Sequence, residues 1–222
     1  MKTYTFHRCK TPPSLDLSAG AAPRGWEKAE IGQIENFRKE GAGYRPPATF
    51  RGLVDDHYLY VRFDVLDRHA KIAFSKLNSP VCQDSCVEFF VKPEKTAGYV
   101  NFEVNAKGTL LLSYITNPRR LPDGSIEHAE IDPRWAKQVV ISSSIPRTSK
   151  KYIEGPLAWS VAYRIPLALL AAYTGRCSAA PGSEWRANFY KCEGDEHFGS
   201  WSPIGKPLDF HCPDHFGKLL FD

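Results

Sequence analysis

Hydrophobic and polar positions alternate most cleanly across residues 84–105. Val100, Phe102 and Val104 interleave with Asn101, Glu103 and Asn105; just upstream, Val87, Phe89 and Val91 share one side and Glu88 lies on the other. A period of two sends the two sets to opposite faces of a strand. The β-branched and aromatic content fits the same assignment. Paired as a hairpin, the two strands project Glu88, Glu103 and Asn105 from one face, a polar cluster expected on the solvent side of a sheet.

The pattern recurs along the chain. Strands are predicted over 50–54 and 58–65, joined by the Asp55-Asp56-His57 turn, and over 109–115, 135–145, 157–165, 184–192 and 215–221. Trp159, Val161 and Tyr163 fall on one side of their strand, as do Trp185, Ala187 and Phe189. Pro166 ahead of an apolar run predicts one short helix, because proline suits a first helical turn. Residues 67–80 read as a polar connection, 117–133 as a long loop, and 1–48 as irregular, punctuated by Pro12, Pro13, Pro23, Pro46 and Pro47. Many short strands separated by turns predict an all-β fold: a β-sandwich of two antiparallel sheets with one short helix, built as a single domain over residues 1–222. Val87, Phe89, Phe102, Val104, Trp159, Trp185 and Phe189 are the predicted core.

Composition narrows the function. The net charge of +4 is small and scattered, so no nucleic-acid partner is expected. The longest apolar run, around 167–172, is far shorter than the roughly 20 residues that span a bilayer, so no membrane partner is expected. Residues 1–10 have no apolar core of a secretory signal, which for a complete chain implies the cytoplasm. The six cysteines are then expected as free thiols. Cys82-x3-Cys86 and the run His211-Cys212-Pro213-Asp214-His215 hold zinc-ligand types at spacings unlike a paired knuckle, so no structural zinc is expected. Asp55, Asp56, Asp64 and Asp67 supply acids without a defined calcium loop.

Two chemistries fit the remaining polar residues. Glu88 and Glu103 opposed across strands could serve as the carboxyl pair of a glycoside hydrolase. Alternatively, Trp201, in the polar and turn-rich stretch Gly199-Ser200-Trp201-Ser202-Pro203, could offer its ring to the apolar face of a sugar while Glu88, Glu103 and Asn105 bind its hydroxyls. Signatures for serine or cysteine nucleophiles and for phosphate loops are absent from the sequence.

Several motifs together resemble the family 9 carbohydrate-binding modules. They are Asp84-Ser85-Cys86-Val87-Glu88-Phe89-Phe90, Tyr99-Val100-Asn101-Phe102-Glu103-Val104-Asn105-Ala106-Lys107-Gly108, Trp159-Ser160-Val161-Ala162-Tyr163-Arg164-Ile165-Pro166, Trp185-Arg186-Ala187-Asn188-Phe189-Tyr190, Ser200-Trp201-Ser202 and Phe216-Gly217. The resemblance runs from about residue 50 to the end. It implies a β-sandwich, non-catalytic saccharide binding, the calcium often bound in that family, and ligand contacts from Trp201, Glu88 and Asn105. Two positions depart from members that clamp a sugar end between two tryptophans: the second ring would fall near Val81 or Cys82, and position 103, basic in such members, is Glu103. The expectation is a non-catalytic saccharide-binding protein. A glycoside hydrolase, or a structural domain that has lost the site, stands as the alternative.

Overall fold

The computed structural model describes residues 1–18, 24–94, 96–175, 177–206 and 208–222, so Pro23 lies outside the described residues. Fourteen strands form among them. The first seven are β1 (Thr3–Arg8), β2 (Gly32–Ile34), β3 (Asn36–Phe37), β4 (Ala48–Val54), β5 (Tyr58–Lys71), β6 (Cys86–Lys92) and β7 (Tyr99–Asn105). The rest are β8 (Leu110–Arg120), β9 (Ile126–Glu130), β10 (Val140–Ser143), β11 (Tyr152–Pro166), β12 (Glu184–Glu193), β13 (His197–Ser200) and β14 (Gly217–Phe221). Two short helices, α1 (Pro133–Ala136) and α2 (Leu167–Thr174), complete the set with two single 3-10 turns.

The strands make two facing sheets. The first runs β1-β14-β12-β6-β7-β8-β9, with β13 on the side of β12 and β3 on β13; the second runs β10-β11-β5-β4-β1, with β2 on β4. Strand β1 belongs to both: residues 3–6 lie parallel to β14 and residues 7–8 parallel to β4. The sheets are therefore mixed, not purely antiparallel. Tyr4, Phe6, Phe50, Phe63, Phe89, Phe102, Trp159, Trp185 and Phe189 fill the space between them. All seven predicted core residues are buried there. The rings of Phe50 and Phe189 stack across the gap at 3.6 Å, and Phe89 packs on Phe189 at 4.8 Å.

Local chemistry explains the connections. Asp55 Oδ1 accepts from the His57 and Tyr58 amides, an Asx turn that closes the β4–β5 hairpin. Pro166 sits at the N-cap of α2, and Gly175 ends the helix at φ +82°. Where a strand was predicted over 135–145, Asp132 Oδ1 caps the Arg134 amide at 2.8 Å and Pro133 opens a helical turn instead, so the strand begins only at Val140. The predicted connection 67–80 and loop 117–133 are shorter than expected. Strand β5 runs on to Lys71 against β11, and β8 runs to Arg120 against β9. The irregular reading of 1–48 gives way to β1, β2 and β3: β1 pairs with β14 and β3 with β13, both late in the chain, and β2 is only three residues long on β4, so each leaves little local signal.

Candidate functional site: a covered cavity on the first sheet

The register of β6 against β7 pairs Glu88 with Glu103 and Cys86 with Asn105, so the predicted hairpin places these side chains on one face. That face is not open to solvent. Phe90, Tyr99, Ile115 and Tyr190 on the same side are buried under Ile204, Leu208, Phe210 and Phe216 from the segment before β14. Glu88 is 2% exposed and Glu103 6%. Between the sheet and the covering segment lies a cavity of about 360 Å³, floored by Glu88, Glu103 and Cys192 and walled by Phe198, Phe210, His211, Asp209, Arg120 and Cys82.

Electrostatics on the floor favour protonated carboxyls. Burial is the main force raising Glu88 well above the carboxylate range, with the Cys192 thiol and Glu103 beside it. Burial lifts Glu103 to about 7, partly offset by the Asn101 amide, which donates to Glu103 Oε1 at 2.8 Å. The Cys192 thiol donates to Glu88 Oε1 at 3.1 Å. A neutral carboxylic acid can donate as well as accept, which matches the dual character of a hydroxyl group.

The wall combines rings with a fixed ion pair. Phe210 stacks on Tyr190 at 4.1 Å and meets the edge of Phe198 at 6.3 Å. Arg120 grips Asp209 through two hydrogen bonds, Nε to Oδ2 at 2.8 Å and Nη2 to Oδ1 at 2.7 Å. Asp209 Oδ1 also accepts from the His211 amide at 2.9 Å. Burial depresses His211 to about 4, leaving a neutral ring that shares a 2.6 Å hydrogen bond with the Tyr99 hydroxyl.

Two sequence-predicted site residues sit elsewhere. Trp201 is 4% exposed and belongs to the core between the sheets, not to the cavity. Its amide donates to Phe189 O, and its ring meets Tyr4, Phe50 and Phe189 edge-on. Gly217 makes this possible: a Cβ there would stand 2.4 Å from Trp201 Cζ3. The Trp201 and Phe216-Gly217 motifs are thus two halves of one packing contact. Asn105 is fully buried with its bonds spent on the fold. It donates to Phe74 O and Asp84 Oδ2 and accepts from the Thr109 and Lys107 amides. Asp84 in turn takes the Ala73 and Phe74 amides. Glu88 and Glu103 remain at the site, joined by Phe198, Phe210, Arg120, Asp209 and His211, none of which the strand periodicity singled out. Cys82, where the resemblance placed a second tryptophan, brings a thiol to the wall.

The acids considered for calcium do not fit it. Asp55 is filled by two amides and the Tyr60 hydroxyl; Asp64 by Arg51, Arg62 and Ser160; Asp67 by Lys191, Trp159 and the Arg68 amide. Asp56 is exposed and paired with Arg8. Calcium needs six to eight oxygens turned toward one point, whereas these oxygens face hydrogen-bond donors. A second groove, of about 230 Å³, is lined by Leu77, Leu110, Val139 and Ile141 with Lys137 and Arg147 and brings no carboxyl to its wall. Among the described residues no helix is long and apolar enough to cross a membrane.

Comparison with known proteins identifies the family. The profile of carbohydrate-binding family 9 matches residues 24–221. No curated protein sequence matches the chain. Among solved structures, a protein from Bacteroides uniformis ATCC 8492 to which carbohydrate binding has been attributed is similar at TM-score 0.76 and 26% identity, over 100% of this chain and 99% of that one. A family 9 module from Caldicellulosiruptor kristjanssonii is similar at 15% identity in two structures. The one with cellotriose has TM-score 0.63 over 99% of this chain and 93% of that one; the one with glucose has TM-score 0.66 over 100% and 96%. At that identity the likeness shows a shared fold. The family match covers nearly the whole chain and agrees with the sandwich, and so the chain belongs to carbohydrate-binding family 9, whose members bind saccharides without catalysis.

Proposed function

We propose that the cavity over Glu88 and Glu103 is the saccharide site, and that it holds its ligand without turnover. The observation that carries this reading is the pairing of two protonation-prone carboxyls with the Phe198 and Phe210 rings in one cavity of about 360 Å³. A sugar presents hydroxyls on its rim and C–H groups on its faces. Glu88, Glu103 and the Arg120–Asp209 pair suit the rim, and the two rings suit a face. The volume lies at the low end for small-molecule sites, which favours one or two sugar rings over a long chain. Glucose and cellotriose, the ligands of the Caldicellulosiruptor module, are the natural first probes. Trp201 and Asn105 serve this reading indirectly, by fixing the two sheets and the segment that carries Asp84.

Hydrolysis is not favoured by the floor. A glycosidase sets its two carboxyls on either side of the scissile bond and keeps one of them ionised. Glu88 and Glu103 are neighbours on one sheet face, and burial raises both.

Calorimetry with glucose, cellobiose and cellotriose tests the reading. The expected dissociation constant is around 1 mM to 1 μM, roughly −4 to −8 kcal/mol. Glu103→Ala is expected to weaken binding by about 1–3 kcal/mol while the melting curve keeps its shape. Binding that is indifferent to both Glu103→Ala and Phe198→Ala would move the site elsewhere.

A further inference from the structure

Beside Glu88 stand two thiols that sugar recognition does not use. Among the described residues, Cys86 Sγ, Cys192 Sγ and a Glu88 carboxylate oxygen all lie within 4.8 Å of one another, and all three residues are buried. The two cysteines are direct cross-strand partners on β6 and β12, and Glu88 follows Cys86 by two residues on the same face. Strand register, not a flexible loop, therefore sets the spacing. The Cys192 Sγ to Glu88 Oε1 separation is 3.1 Å. Two such ligands of one tetrahedral zinc-sized ion stand about 3.5 Å apart, given bonds of about 2.3 Å to sulfur and 2.0 Å to oxygen. Cys192 and Glu88 both line the cavity, with Cys82 on its wall, so an ion in the cavity reaches two of the three ligands directly.

We propose that Cys86, Cys192 and Glu88 form a binding site for one thiophilic divalent cation of the zinc and cadmium class. Two sulfurs and one carboxylate are a donor set for such an ion and not for calcium or magnesium, which take oxygen ligands. Binding displaces the two thiol protons and the proton held by the Glu88 carboxyl to solvent, so two thiolates and one carboxylate meet the dication. Three protein ligands leave a fourth position for water. The spacing rule that argued against zinc in the sequence considered only cysteines close together; here the second thiol comes from a strand brought alongside by the sheet. The inference does not depend on saccharide binding, although the two sites share Glu88.

The test is titration of the full chain, kept reduced with a phosphine and freed of metal with a chelator, using Cd²⁺ alone and following the thiolate-to-metal charge-transfer band. One equivalent is expected to saturate the band. Cys192→Ser and Glu88→Gln are each expected to weaken Cd²⁺ binding about tenfold or more. Cys9→Ser, in the separate cluster around Trp26, is expected to leave it unchanged. Cys86→Ser serves as a second thiol variant should Cys192→Ser fold poorly, with circular dichroism as the check on each. The absence of a stoichiometric band in the parent protein overturns the proposal, and so does a band retained in every folded variant among Cys86→Ser and Cys192→Ser. Calorimetry with glucose on the metal-free protein, run in parallel, reports the saccharide reading separately, so either idea can fail alone.

Discussion

Replacing Trp201 with alanine separates a structural tryptophan from a sugar platform. The ring is 4% exposed, with edge-on contacts to Phe50 at 5.7 Å, Phe189 at 5.7 Å and Tyr4 at 6.3 Å. Truncating a core tryptophan costs about 3–5 kcal/mol, the sum of lost transfer energy and the cavity left behind. The backbone bonds at this position, Trp201 N to Phe189 O and Asn36 Nδ2 to Trp201 O, do not depend on the indole and should survive, so the variant is expected to fold. For a chain of 222 residues each kcal/mol moves Tm by roughly 2–4 °C, so the expected drop is roughly 6–20 °C. Urea unfolding gives the free energy, and calorimetry well below the melt gives saccharide affinity. The expected result is a large stability loss with affinity changed less than about threefold, or 0.7 kcal/mol. A melt within about 2 °C of the parent combined with abolished binding would refute the core assignment and restore Trp201 as a platform.

Three further outcomes follow from the packing. Gly217→Ala, whose new Cβ would meet Trp201 Cζ3 at 2.4 Å, should destabilise by about 1–3 kcal/mol in denaturant titration, and by less in a Trp201→Ala background, where only the 2.9 Å approach to Lys2 O remains. Lys191 Nζ and Asp67 Oδ2 stand 3.3 Å apart with side chains 0% and 1% exposed; Lys191→Met strands a buried carboxylate and should cost about 3–5 kcal/mol by the same measurement. His197 is held near 2, chiefly by burial and then by Lys191, with Arg68 and His69 adding to it, and its Nε2 lies 2.7 Å from Lys191 Nζ. Unfolded His197 takes up a proton below about 6.5 while the folded ring stays neutral, so stability from this group is present above that pH and falls by up to about 1.4 kcal/mol per unit as pH drops below it. His197→Gln should flatten that part of the stability profile between pH 6.5 and 4.5, and an unchanged slope would exclude His197 as its source.

The parts of this molecule legible from the sequence are those whose apolar and polar residues alternate strictly along a strand. Alternation along residues 84–105 carried the β6–β7 hairpin and the pairing of Glu88 with Glu103, because the connecting loop is short and the side-chain period is strict. The buried positions on β11 and β12 followed from the same rule. Strand β1 escaped because its partners, β14 and β4, lie far along the chain and no local pattern announces a parallel edge between two sheets. The burial of Trp201 is not legible because its turn-rich neighbourhood reads as exposed, whereas the ring packs where Gly217 has no side chain. The covering segment was the larger omission. Phe210 and His211 sit among prolines and polar residues without periodicity, and only the fold sets them over Glu88 and Glu103. A wet face in the sequence became a roofed cavity for that reason.

Amide chemical-shift mapping of the isotope-labelled chain, titrated with glucose and then cellotriose, tests the central claim most directly. Saccharide binding in the cavity predicts saturable shifts concentrated at Glu88, Glu103, Cys192, Phe198, Phe210 and His211, with the Trp201 and Asn105 amides moving little. Shifts clustered instead around the groove at Leu77 and Val139, or no saturable shift with either sugar, would contradict it.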